Sequence, residues 1–210
     1  MTTQLTLFND ALGFLGERKL VTTADATEPT RVLLDLWANG ARDYALEQGH
    51  WKFAQKVGAL NYSLTEVPTF GPRRAFAKPT DYVRLSKMCS DEYLQTPLNQ
   101  YDERGGFWYA DIDVLYVSYV SKGTTLGYDL DLWPKTFALY FSLYLALRLS
   151  QRLTTNADEE ALNKGMAEAL RNALAKDAVA GPTQFLPPGN WIKARMGTHS
   201  GRNSRVSLYG

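Results

Sequence analysis

The chain has 210 residues, 45% hydrophobic and 21% charged, with a net charge of +1. That is ordinary for a soluble globular protein and long enough to bury one sizeable core, so one domain with an insertion is expected. A single cysteine, Cys89, excludes an intramolecular disulfide framework and a cysteine-rich metal site, and fits a reducing cytoplasm.

Residues 1–13, MTTQLTLFNDALG, lack the basic start and unbroken apolar run of a signal peptide, so export by that route is not expected. Leu5, Phe8, Leu12 and Leu15 share one stripe and predict a helix over 4–15, stopped by Gly16. Thr27 or Asp25 can cap a second helix with Pro29 in its first turn. Its predicted buried face is Val32, Leu33, Leu36, Trp37, Tyr44 and Ala45, and Gly49 stands where a C-cap would. Within EQGHWKFAQKVGAL the period then changes: Trp51, Phe53, Val57 and Ala59 alternate, with Gln55 out of pattern, as in a half-buried strand opening at Trp51.

From 51 to about 119 the texture is β-structure and loops, punctuated by Pro68, Pro72, Pro79, Pro97 and Gly105-Gly106. The clearest strands are FWYA (107–110) and DVLYVSYV (113–120). In the second, Val114, Tyr116, Ser118 and Val120 take one face and Leu115, Val117 and Tyr119 the other. Only a short link separates the two strands, which predicts an antiparallel hairpin, in a region too thin for a large sheet.

Helices return at Trp133-Pro134, where proline suits a first helical turn. The third helix is expected to reach about Leu153. Its segment 137–147 has Ser142 as the one clearly polar residue, but it is about half the roughly 20 residues a bilayer needs, and Lys135 and Arg148 bracket it, so it reads as a buried helix. Asn156 is expected to cap a fourth helix, with Asp158, Glu159 and Glu160 at the positive end of its dipole. Leu162, Met166, Leu170, Ala173 and Leu174 form its expected core stripe, and Gly181-Pro182 its end. Beyond it, Phe185, Leu186, Trp191 and Ile192 are apolar anchors in a stretch with no amphipathic period, which suggests a segment ordered by lying on another surface.

The expected fold class is therefore α+β: an antiparallel helical bundle of about four helices, a small antiparallel β insertion and an extended C-terminal tail. In residue terms, 1–50 with 132–181 form the helical domain, 51–131 the β-rich insertion and 182–210 the tail.

Catalysis needs a cluster of ionisable groups with a role for each. His50 and His199 belong to no HxxxH, HExxH or Ser-His-acid pattern, and His50 reads as a capping or surface residue. Asp111 and Asp113, and Asp129 and Asp131, are spaced like metal-binding carboxylates, but sit where turns favour Asp. Cys89 has no neighbouring base and reads as a plain thiol. GERK and GGF are too short to cradle a phosphate. No enzyme activity, cofactor or metal is expected.

The charge is uneven. No Asp or Glu follows Asp177, whereas Lys193, Arg195, Arg202 and Arg205 all do; taking those four cations from +1 leaves −3, so a mildly acidic body carries a basic tail. An acidic body argues against a dedicated DNA-binding domain, and four tail cations supply modest phosphate affinity. A small DNA-binding or DNA-end-processing module with an aromatic β surface is the alternative reading.

The order of features resembles the head-to-tail adaptor proteins of tailed bacteriophages, the tail tubular protein A family of short-tailed phages. The matching stretches are LFNDALGFLGERKLVTT, ARDYALEQGHWKFAQKVGAL, AFAKPTDYVRL, YVSYVSK and LWPKTFALYFSLYLALRLSQRLT followed by a capped acidic helix. Together they span 7–180.

The resemblance implies a structural virion protein made in the host cytoplasm. It would form a ring of twelve copies below the portal protein, extend the DNA channel and offer a platform to the next tail protein. Double-stranded DNA would pass through the lumen without specific binding, and no membrane is involved. It further implies helices facing the portal, a β part facing the tail, and Trp51 and Phe53 at the joint between them. Candidate portal contacts are Phe185, Trp191, Ile192, Lys193, Arg195, Arg202 and Arg205; candidate platform residues are Tyr93, Tyr101 and Phe107.

Overall fold

A computed structural model describes residues 2–25, 27–153 and 158–180. The first helix, α1 (Gln4–Phe14), opens on a capping box: Thr3 Oγ1 accepts from the Thr6 N–H at 3.2 Å, and the Thr3 N–H donates to Thr6 Oγ1 at 2.8 Å. The Leu20 N–H donates to Asn9 Oδ1 at 2.7 Å and Asn9 Nδ2 to the Leu20 carbonyl at 3.1 Å, so the following loop is held to the helix that precedes it.

The predicted second helix is two helices. Thr27, not Asp25, caps α2 (Glu28–Ala38), and the chain breaks at Asn39-Gly40 before α3 (Ala41–Glu47). Gly40 has φ +86°, a conformation costly to a residue with a β-carbon. The break turns Tyr44 outward to 46% exposure, while Leu33, Leu36 and Ala45 are buried as expected. Gln48, not Gly49, is the C-cap of α3. Gly49 is needed for packing instead: a β-carbon there would lie 2.7 Å from a Leu174 methyl and 2.9 Å from the Trp51 ring.

The strand expected to open at Trp51 begins four residues later. Residues Lys52–Ala54 form a single 3-10 turn, closed by the Ala54 N–H donating to the Trp51 carbonyl at 3.1 Å and tied down by the Lys52 N–H donating to Asp177 Oδ1 at 2.9 Å. Six strands follow: β1 (Gln55–Asn61), β2 (Arg74–Ala77), β3 (Tyr82–Cys89), β4 (Asp102–Arg104), β5 (Phe107–Ala110) and β6 (Val114–Ser121). They make two three-stranded antiparallel sheets, ordered β1-β6-β3 and β2-β5-β4.

The predicted hairpin between 107–110 and 113–120 is therefore absent. Both edges of β6 are occupied by β1 and β3, and both edges of β5 by β2 and β4, so the two strands cannot pair with each other. Asp111 and Asp113 hold the link elsewhere: Asp111 accepts the Arg73 N–H at 2.7 Å, and Asp113 pairs with Arg74.

Two helices close the described chain, α4 (Lys135–Ser150) and α5 (Glu159–Val179). Pro134 precedes α4 as its N-cap rather than lying in the first turn. The cap of α5 is Asp158, whose carboxylate accepts from the Ala161 N–H at 3.0 Å; Asn156, expected in that role, lies outside the described residues, as does Gly181-Pro182. In α5, Leu162 and Ala173 are buried, Met166 and Leu170 partly so, Ala169 replaces part of the expected stripe, and Leu174 is 36% exposed. None of these helices is long and apolar enough to cross a membrane.

The described residues are thus a mixed α+β structure with five α-helices, not four, and two small antiparallel sheets. There are two cores. One gathers Phe8, Leu12, Leu33, Leu46, Trp51, Phe137 and Phe141 from the helices; the other gathers Phe76, Met88, Trp108, Leu115, Val117 and Tyr119 from the strands. Strand β6 serves both, because its alternation sends Leu115, Val117 and Tyr119 to the strand core and Val120 to the helical one.

Candidate functional site

Aromatic residues from two of the stretches quoted for the resemblance meet where helices and strands join. Trp51 is 1% exposed, its indole N–H donates to the Ala45 carbonyl at 3.2 Å, and its ring meets Phe137 edge-on with centroids 4.7 Å apart. Phe53 packs on the same Phe137 at 5.0 Å, and Trp133 closes the cluster at 4.7 Å from Phe137 and 5.2 Å from Phe141. The Trp133 indole N–H donates to the Gly127 carbonyl at 2.9 Å. Edge-to-face aromatic contacts of this kind add to the stabilisation that comes from burying large apolar surface.

The ionisable groups with displaced pKa values are occupied in holding elements together. Asp81 accepts from Lys56 Nζ at 2.8 Å, Ser121 Oγ at 2.7 Å and Tyr119 Oη at 2.9 Å, linking the entry of β3 to β1 and β6. Burial raises the Asp81 pKa, but the hydrogen bonds from Lys56, Ser121 and Tyr119 outweigh it and hold the carboxyl at about 2. Asp43 on α3 accepts from Tyr128 Oη and from Lys122 Nζ, and burial together with that carboxylate pushes the Tyr128 hydroxyl up to about 12. The Arg42 guanidinium lies over the Tyr128 ring at 3.8 Å and the Trp37 ring at 4.6 Å.

The residues weighed for chemistry take structural places. His50 is exposed beside β3, with Nδ1 3.3 Å from Ser86 Oγ; desolvation and then the Arg84 guanidinium hold its pKa below the usual value, against an opposite pull from Asp177. Cys89 is buried, which raises its thiol pKa and suits an inert thiol rather than a nucleophile. Asp111 and Asp113 pair with Arg73 and Arg74, and Asp129 accepts the Asp131 N–H at 3.1 Å in the 3-10 turn before α4. Among the described residues, no group of three or more His, Cys, Asp and Glu is placed to hold a metal ion. His199 lies outside them.

The platform residues are spread over the strand region rather than gathered at one point. Tyr93 stands 75% exposed in the turn after β3, where Asp91 accepts the N–H groups of Gln95 and Thr96. Tyr101, 38% exposed, precedes β4 and lines an open cleft of about 500 Å³ with Pro72, Leu98, Gln100 and Ile112. Phe107 is half-buried at the other end of the β4–β5 pairing, beside Tyr109. The portal residues Phe185, Trp191, Ile192, Lys193, Arg195, Arg202 and Arg205 all lie outside the described residues.

Sequence reasoning missed the most apolar exposed feature of the strand region. The loop between β1 and β2 presents Leu64, Val67 and Phe70 at 83%, 70% and 77% exposure. It is nonetheless braced. Ser63 Oγ accepts the N–H groups of Thr65 and Glu66, Tyr109 Oη donates to Glu66, and the Arg74 guanidinium lies 3.9 Å over the Tyr62 ring. The signal available in sequence was the placement of those three apolar residues around Pro68, between two strands and with no period that would bury them. A scan of the chain against models of known protein families finds no match, and a search of curated proteins finds none.

Proposed function

We propose that the chain is a structural virion protein, a head-to-tail adaptor of the tail tubular protein A kind. In this reading its helices form an antiparallel bundle that meets the portal protein, its strands form the platform for the next tail protein, and about twelve copies close a ring through which double-stranded DNA passes. The observation that carries the reading is that aromatic residues from two of the stretches bearing the resemblance pack together where helices and strands join. Trp51 and Phe53 come from the second matching stretch, Trp133, Phe137 and Phe141 from the last, and YVSYVSK covers the end of β6, the strand shared by both cores. An adaptor that transmits position between two partners needs such a fixed relation between the faces that bind them.

Two further observations support it. The ionisable groups with displaced pKa values knit secondary structure together instead of converging on a cleft. Exposed apolar residues of the strand region, Tyr93, Leu64, Val67 and Phe70, supply unoccupied contact surface. The residues proposed for the portal are Phe185, Trp191, Ile192, Lys193, Arg195, Arg202 and Arg205, and those for the platform are Tyr93, Tyr101 and Phe107.

The test is sedimentation of the full chain with and without an assembled portal ring, alongside a gel-retardation assay on duplex DNA. Co-sedimentation with the portal and an unshifted DNA band are the expected result. A shifted DNA band with no portal binding would overturn the adaptor reading in favour of a DNA-binding module.

A further inference from the structure

We propose that the Arg42 guanidinium receives a carboxylate from the neighbouring copy of the chain. The contact rests on the ring reading and gives that ring a bond between adjacent copies.

Arg42 is set apart by what it lacks. Its Nε is the one buried side-chain nitrogen or oxygen without a hydrogen-bond partner among the described residues. Buried polar atoms are rarely left so in folded proteins. The other half-buried arginines are engaged: Arg74 pairs with Asp113, and Arg84 donates to the Glu47 carbonyl at 2.7 Å. The carboxylate next to Arg42 in sequence is committed elsewhere, since Asp43 accepts from Tyr128 Oη and Lys122 Nζ.

The guanidinium is nevertheless held in place. It lies over the Tyr128 ring at 3.8 Å and the Trp37 ring at 4.6 Å. Its two Nη nitrogens are bonded to no described residue and are open to solvent. A guanidinium fixed on aromatic rings with both Nη nitrogens open presents a planar pair of donors, the geometry that takes a carboxylate through two parallel hydrogen bonds. Little side-chain freedom is left to lose when the acid arrives. Arg42 and Lys122 together outnumber Asp43, so the spot is positive.

The position of Arg42 points to the chain that supplies the acid. Arg42 belongs to α3, which leads through the turn at Trp51 into β1, and Tyr128 lies between β6 and α4, next to the Gly127 carbonyl that holds Trp133. The site is therefore at the join of helices and strands. With helices directed to the portal and strands to the next tail protein, the join is the level at which copies in a ring stand side by side. A ring closes through a contact between unlike faces. The arginine of one copy then meets an acid on a different part of the next, and the chain has acid to spare, at −3 once its four tail cations are set aside.

Assembly of the full chain on an isolated portal ring, followed by sedimentation velocity, tests the contact with two variants. R42M keeps an apolar stem on the rings and removes the guanidinium. It is expected to keep the parent's melting temperature and to weaken assembly at least about tenfold. R42K keeps the charge without the planar fork. The amine it introduces can be condensed by a carbodiimide with a carboxylate in contact, giving an amide while the reagent takes up the water as its urea. In rings mixed from heavy- and light-isotope copies, mass spectrometry is expected to find that amide joining a heavy copy to a light one. If R42M melts lower than the parent, the cross-link decides. A parent chain that does not gather on the portal would overturn the ring reading and this contact with it. Assembly of a normally folded R42M equal to the parent's, or an R42K cross-link confined to its own copy or made to the portal protein, would overturn the contact and leave the ring reading standing.

Discussion

The ring of Trp51 meets that of Phe137 edge-on, with centroids 4.7 Å apart, and so joins the turn that precedes β1 to the first part of α4. Trp51 also reaches back to α3 through its hydrogen bond to the Ala45 carbonyl. One side chain thus ties α3 and the turn that follows it to α4, which is distant in sequence. Trp51→Ala is expected to cost about 3 to 5 kcal/mol, the range for truncating a buried aromatic. Chemical denaturation of the variant beside the parent chain measures it, and a loss below about 1 kcal/mol would show that the join does not depend on this ring.

Asp81 gives the strand core an acid limit. Its carboxyl titrates at about 2 in the fold, against an ordinary 3.8, so the folded state binds fewer protons than the unfolded one between those values. The stabilisation is complete about one unit above 3.8 and is lost as pH falls through 3.8 towards 2. It amounts to about 2 kcal/mol at ~1.36 kcal/mol per pH unit. Asp81→Asn is expected to lower stability at neutral pH and to flatten the acid side of a stability-versus-pH curve; an unchanged curve would contradict the assignment.

His50 sets a second, milder dependence nearer neutrality. Its pKa is lowered in the fold, so the unfolded chain takes up the proton first. Stability is therefore unaffected well above pH 6.5 and declines as pH falls through it, when a partly desolvated imidazole must take a charge and does so beside Arg84. His50→Gln is expected to remove that slope between pH 7 and 5 in thermal melts. A variant whose melting temperature falls as steeply as the parent's would place the titration elsewhere.

Passage of DNA through a lumen requires weak phosphate contacts, since each Lys or Arg contact adds affinity and a salt-dependent barrier to sliding. The full chain, at net +1, is expected to bind duplex DNA with a Kd weaker than about 10 µM at physiological salt. Fluorescence anisotropy with labelled duplex at several salt concentrations measures it. Submicromolar binding would favour the DNA-binding alternative.

What the sequence determined by itself is the local order. The period of Leu5, Phe8 and Leu12, the Thr27 cap, the alternation along β6 and the apolar run of α4 each follow from neighbours within a few residues, and each stands in the structure close to where its pattern placed it. The role of Trp51 in the core was legible for the same reason, because a large aromatic beside a change of period has few places to go. What only tertiary structure decided is partnership. Whether β5 pairs with β6 depends on which edges β1, β2, β3 and β4 have already filled, and no local pattern in 107–120 carries that information. The 3-10 turn after Trp51 depends on a carboxylate 125 positions away, Asp177, and the need for glycine at position 49 on a methyl of Leu174.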